Sequence, residues 1–88
     1  MVEDPVTAVI ALTAEEVAKH NTSADCWYVN GNSVYDVTQF MADELHPEGN
    51  EVIIPFCGKD ATEEFNRQHR GSRAREEQEL YLLGPLVV

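Results

Sequence analysis

The chain has 88 residues, 43% of them hydrophobic, with 16 acidic against 6 basic side chains and a formal net charge of −10. That is enough chain for one domain; no apolar run approaches the ~18 residues of a membrane span, and the charge argues against nucleic acid or anionic membrane as a partner. The N-terminal Met1-Val2-Glu3-Asp4-Pro5 lacks a basic region followed by a long apolar stretch, so no leader peptide is legible.

Residues 1–7 read as an irregular lead-in and Val9-Ile10-Ala11-Leu12 as a short strand. Thr13-Ala14-Glu15-Glu16 is a capping-box pattern: the Thr13 hydroxyl accepts from the Glu16 amide and the Glu16 side chain reaches back, with Leu12 and Val17 at the staple positions. The helix should end near His20-Asn21, with His20 a surface residue suited to the helix dipole. Trp27-Tyr28-Val29 and Val34-Tyr35-Asp36-Val37 flank Asn30-Gly31-Asn32-Ser33, and Asn-Gly between two β-rich runs predicts a hairpin. Thr38 caps a short helix through Phe40 and Met41. Pro47 and Gly49 break the chain after His46. Asn50 caps a helix through Val52, Ile53 and Ile54, and Pro55 gives it an irregular end. Asp60-Ala61-Thr62-Glu63 starts a helix carrying Phe65. Gly71-Ser72 restarts a helix to about Leu80, and Gly84-Pro85 ends the apolar Tyr81-Leu82-Leu83. With no internal repeats, the pattern is a single α+β domain over residues 1–88: a small sheet plus several short helices that fill residues 38–80.

The residues able to carry chemistry are few. Cys26 and Cys57 form neither a Cys-x-x-Cys redox motif nor the Cys-x-x-Cys-His of covalently attached haem. His46 and His69 stand on separate short segments, near helix ends, with an apolar run between them; on spacing alone they are weak candidates for ligands of one metal. Together with the two cysteines they offer four donors of the kind zinc takes, although no pair has the short spacing usual in zinc sites. No Gly-x-Ser-x-Gly motif and no local signature of a catalytic thiol is present.

Several segments, in order and covering about residues 10–86, resemble the cytochrome b5 family. Thr13 through Asn21 resembles its opening helix. Cys26-Trp27 through Val34-Tyr35-Asp36-Val37-Thr38-Gln39-Phe40 resembles its Trp-containing hairpin and the segment that follows. His46-Pro47-Glu48-Gly49 resembles the His-Pro-Gly-Gly motif of the first haem ligand, and Gly58-Lys59-Asp60-Ala61-Thr62-Glu63-Glu64-Phe65 resembles Gly-Gly-Asp-Ala-Thr-x-x-Phe. His69 falls near the second ligand, and Tyr81-Leu82-Leu83-Gly84-Pro85-Leu86 resembles the closing element. There are departures. Glu48 replaces the first Gly of the motif, and two extra residues lie between Phe40 and His46. His69 comes one residue early after Phe65, leaving Arg70 at the usual ligand position. Glu77 falls where the family tends to be apolar.

The resemblance implies a cytochrome b5-like fold, a small mixed sheet with short helices forming a haem crevice. It implies one protohaem IX (haem b) per chain, held without covalent links, with His46 and His69 as the axial iron ligands. Each ligand's other ring nitrogen should donate to a backbone carbonyl. Val37, Phe40, Leu45 and Pro47 should line the crevice, joined by Val52, Ile53 and Phe56 and by Phe65 and Tyr81. Arg70, Arg73 or the Ser72 hydroxyl should meet the haem propionates; the alternative for the arginines is pairing with Glu63, Glu64, Glu76 or Glu77 at helical spacing.

The function implied is a soluble, monomeric electron carrier and not an enzyme, inserted in no membrane and docking transiently with basic redox proteins through Asp43, Glu44, Glu48 and Glu51. The alternatives are a haem domain of a larger redox enzyme, less favoured because the chain starts with Met and ends soon after the last family element, and a haem-free interaction module on the same fold. In the implied fold Cys26 and Cys57 flank one side of the crevice, and a disulfide between them, closing a loop of about 30 residues, is worth roughly 3–4 kcal/mol. It would favour an oxidising compartment such as a bacterial periplasm; two free thiols would leave the cytoplasm.

Overall fold

The computed structural model describes residues 11–69 and 71–87. The lead-in, Val9, Ile10 and Arg70 lie outside the described residues. The order of elements is α1 (Ala14–Ala18), β1 (Asn21–Thr22), β2 (Asp25–Asn30), β3 (Ser33–Asp36), α2 (Thr38–Ala42), 3-10 turns at Asn50–Val52 and Ile54–Phe56, α3 (Thr62–Gln68), α4 (Arg73–Gln78), a 3-10 turn at Glu79–Tyr81, and β4 (Leu82–Pro85). The strands form one sheet in the order β1-β2-β3-β4, each pair antiparallel. Parallel pairing is confined to two isolated bridges, Thr13 with Val87 and Val29 with Asp60. The class is α+β. Ala11 and Leu12 carry no strand; the pairing falls on Thr13, and the Val87 amide donates to the Leu12 carbonyl (2.7 Å).

Side-chain alternation along β2 and β3 gives the sheet two buried faces. Cys26, Tyr28, Tyr35 and Val37 fall in one cluster with Met41, Cys57 and Ala61. Trp27, Val29 and Val34 face the other way and pack with Val17 of α1, Leu12 and Leu86. Val17, Val34 and Met41 are almost wholly buried, and each such side chain contributes about 1.5–3 kcal/mol. The first face is the floor on which the middle of the chain builds its site.

The hairpin forms one residue later than Asn-Gly alone indicates. Asn30 pairs with Ser33, so the loop residues are Gly31 and Asn32. Of these only Gly31 has positive φ (68°), as a type II′ turn requires at its first position. The capping box at α1 is half formed. Thr13 Oγ1 accepts from the Glu16 amide (3.1 Å), but the Thr13 amide donates to the Ala11 carbonyl. The Glu16 carboxylate instead reaches forward to Lys19 and His20.

The segment from Asn50 to Phe56 is not one helix. It is two 3-10 turns, because Pro55 takes a first-turn position of the second, where its missing amide costs nothing. Asn50 does not cap; its Nδ2 donates to the Met41 carbonyl (2.8 Å) and ties the turn to α2. The last expected helix stops at Gln78, and Leu82–Pro85 becomes β4 against β3.

Cys26 and Cys57 are bonded to each other, with Cα atoms 4.8 Å apart and both residues buried. Beside this link the Gly58 amide donates to the Trp27 carbonyl (2.6 Å). His20 is not the simple surface residue expected. Its ring stacks on Trp27 at 3.6 Å and 4°, with Nδ1 2.8 Å from Asp25 and Nε2 3.1 Å from Glu16.

Candidate functional site

The end of α2 sets the position of His46. The Glu44 amide donates to the Met41 carbonyl and the Leu45 amide to the Phe40 carbonyl, the paired bonds of a Schellman motif. Glu44 takes the left-handed position (φ 52°) that usually holds Gly. The two extra residues after Phe40 are thus absorbed in a tight helix end. Next, the Gly49 amide donates to the His46 carbonyl (2.9 Å). Only Gly49 of this turn has positive φ (88°), which is why Glu48 is accepted where the resemblance expects Gly.

His69 ends α3: its amide donates to the Phe65 carbonyl (2.8 Å), and its own backbone is extended, φ −126° and ψ 82°. The His69 ring lies 4.8 Å from Phe65 between centroids. His46 and His69 face each other with ring centroids 5.9 Å apart and planes at 68°. Both line one open cavity of about 900 Å³.

The other expected wall residues meet in the same cavity. Val37 and Phe40 lead into and lie on α2, Leu45 and Pro47 flank His46, and Val52, Ile53 and Phe56 come from the 3-10 turns. Phe65 comes from α3, and Tyr81 stands edge-on to Phe40, 5.5 Å between centroids. Ser72 does not line the cavity, although its neighbours Gly71 and Arg73 do; it sits at the start of α4 and makes no capping bond. The Arg70 expectation lies outside the described residues. Of the other arginines, Arg67 pairs with Glu64 along α3 and Arg75 donates to Asn66 Oδ1 (3.0 Å). Arg73 alone of these three lines the cavity.

Sequence reading missed Tyr28, Ala61, Glu64, Gln68, Gly71, Ala74 and Gln78 among the lining residues. Tyr28 was within reach: it lies two residues from Cys26, so alternation puts both on one sheet face. Gln78 carried no such signal, because a glutamine amid charged residues reads as surface.

The donor set bears on what the cavity holds. Burial first, with the neighbouring His69 adding and Glu48 opposing, keeps the His46 pKa below the ordinary imidazole value, so the neutral ring is favoured. Metal–imidazole bonds are about 2 Å, and two in line with half a ring at each end span roughly 6 Å, close to the observed separation. An apolar-walled cavity with two opposed imidazoles fits a flat iron macrocycle. One expectation fails: His46 Nδ1 does not donate to a carbonyl but accepts from the Glu48 amide (3.1 Å). A zinc site of two Cys and two His does not form, since the cysteines are bonded to each other and no cluster of three or more candidate metal ligands occurs among the described residues.

Comparison with known proteins identifies the family. The family model described as "Cytochrome b5-like Heme/Steroid binding domain" matches residues 13–87. Cytochrome b5 of Drosophila melanogaster is 47% identical over 75 residues, which cover 85% of this chain and 54% of that protein. Cytochrome b5 isoform E of Arabidopsis thaliana is 44% identical over 75 residues, again 85% of this chain and 54% of that protein. The chain thus spans about half the length of these curated relatives. A stretch making up 8% of the nitrate reductase [NADH] of Volvox carteri is 49% identical over 75 residues, 85% of this chain. Among solved structures, the cytochrome b5 of Ostreococcus tauri virus 2 superposes with a TM-score of 0.77 at 44% identity, covering 88% of this chain and 96% of that one.

Proposed function

Since this chain belongs to the cytochrome b5-like haem/steroid-binding domain family, we propose that it is an electron carrier holding one non-covalent b-type haem between His46 and His69. The observation that carries this reading is the pair of opposed imidazoles, 5.9 Å between centroids, in an apolar-walled cavity. Haem, when bound, supplies a one-electron iron couple. His46 and His69 would hold the iron from both sides and would leave no place for oxygen or substrate, so the site would support electron transfer and not bond chemistry. Ligation through His46 Nε2 requires its proton on Nδ1. With the proton there, the Glu48 amide would no longer donate to that nitrogen. Phe40, Ile53, Phe56 and Phe65 exclude water from the ring faces. Arg73, which lines the cavity, would meet an anionic propionate.

Asp43, Glu44, Glu48 and Glu51 are exposed near the crevice, which suits brief docking of a single copy with a basic redox protein. A second reading is supported by the Volvox carteri similarity: the same domain serving inside a larger redox enzyme, with electron transfer still its task.

The axial variants test the ligation. Reduced wild-type protein loaded with haem should bind carbon monoxide poorly. His46→Ala or His69→Ala should lose haem or bind carbon monoxide readily. Variants that keep the wild-type spectrum and still exclude carbon monoxide would remove the bis-histidine assignment.

A further inference from the structure

Gln78 is the single buried polar residue among the described residues. It is also the single buried residue of α4; the rest of that helix is exposed or half-buried. A helix with one buried position normally fills it with an apolar side chain. Here the position holds an amide, and the amide is engaged. Gln78 Oε1 accepts from the Tyr28 hydroxyl at 2.7 Å and from Asn30 Nδ2 at 3.0 Å. Both donors stand on β2, so the carbonyl fastens α4 to the sheet across the crevice. Tyr28 is itself buried, and burial first, then the nearby Tyr35, drives its phenol far from ionisation. The hydroxyl is a neutral, fixed donor.

Tyr28 and Gln78 both line the cavity that holds His46 and His69. Their hydrogen bond is therefore part of the wall of the haem site, not a contact behind it. We propose that Gln78 is a positioning residue that holds the Tyr28 phenol as a fixed dipole in the crevice wall, and that this hydrogen-bonded pair sets the reduction potential of the iron. The inference rests on the haem reading given above. Its physical basis is charge: with two neutral imidazoles and a dianionic macrocycle, the ferric centre carries one more positive charge than the ferrous centre. Fixed dipoles in a low-dielectric wall act on that charge difference, with a sign set by their orientation. Glu48, Glu64, Gln68, Arg73 and Glu77 also line the cavity, but none of them is buried or stands on the sheet; the Tyr28–Gln78 pair is the buried polar element on the sheet side.

The test is a redox titration followed by visible absorption on haem-loaded wild type, Tyr28→Phe and Gln78→Leu, with ferric-state NMR of the haem methyl signals. Tyr28→Phe removes one oxygen and leaves the ring in place, so it decides the matter if Gln78→Leu fails to hold haem. The expected result is a shifted potential in each variant that binds haem, with displaced haem methyl signals and retained bis-histidine absorption. A Tyr28→Phe protein with the wild-type potential would overturn the proposal. Failure of the haem reading is separate: it would appear as a wild-type protein without a low-spin haem spectrum, before any variant is compared.

Discussion

Glu44 takes a left-handed backbone position (φ 52°) that costs a non-glycine residue about 1–2 kcal/mol. Glu44→Gly should therefore be neutral to about 1 kcal/mol stabilising once the added freedom of glycine in the unfolded chain is set against that relief. A clear loss in chemical denaturation would contradict the Schellman assignment. Gly58 is the opposite case. Its φ is 81°, and a Cβ there would lie 2.7 Å from the Asn21 Cβ. Gly58→Ala should cost about 2–4 kcal/mol, combining left-handed strain with overpacking. His20 gives a pH dependence. Burial opposes its charge, but bonds to Asp25 and Glu16 outweigh this and raise its pKa above the ordinary value. A raised folded pKa adds stability that is fully present below about 6.5, the unfolded value, and is lost as pH rises through the folded one. His20→Gln should therefore lower the melting temperature more at pH 5.5 than at pH 9. An equal loss at both would show that stacking on Trp27, not charge, is what His20 contributes. The sequence placed His20 correctly at a helix end, but Asp25 and the Trp27 ring come from β2, and helix-end rules do not see across elements.

The elements legible in the sequence were those governed by local chemistry. The Thr13 cap, the hairpin and the starts of α3 and α4 all rest on residues within four positions of each other. The errors arose where distant parts compete. Glu16 leaves its capping role for His20; Asn50 leaves its own for the Met41 carbonyl; Leu82–Pro85 joins the sheet once β3 offers an edge. The link between Cys26 and Cys57 acts at this scale too. Cys26 precedes Trp27 on β2 and accepts at its carbonyl from the Val37 amide, while Cys57 follows Phe56; Val37 and Phe56 both line the crevice. The proposal is that this disulfide forms in the native protein and braces two crevice walls. Alkylation without reductant should label neither cysteine, and a Cys26→Ser, Cys57→Ser protein should lose about 3–4 kcal/mol. Two labelled thiols in native protein would defeat it. Hydrogen exchange in the haem-free protein should then show residues 38–80 opening before β2 and β3, because much of their packing is onto the cavity. Equal protection with and without haem would count against that.

For the whole molecule, the proposed pairing of His46 with His69 as iron ligands came only through resemblance. Spacing alone did not separate an iron site from zinc, and it is the three-dimensional approach of two short segments that makes His46 and His69 a pair. The polar Tyr28–Gln78 wall was not legible, since it joins residues 50 apart in the chain. The net charge of −10 acts at the largest scale. Electron transfer to a basic partner should slow as salt rises past about 0.1 M, where charges beyond ~10 Å are screened. Glu48→Gln or Glu51→Gln should slow it further at low salt. A salt-independent rate would mean that the acidic rim serves solubility alone.

The most direct test of the account is a titration of the haem-free protein with haemin, followed by visible absorption of the oxidised and dithionite-reduced forms. The account predicts saturation at one haem per chain and a low-spin, six-coordinate b-type spectrum in both oxidation states. No saturable binding, or a five-coordinate high-spin spectrum in either state, would contradict it.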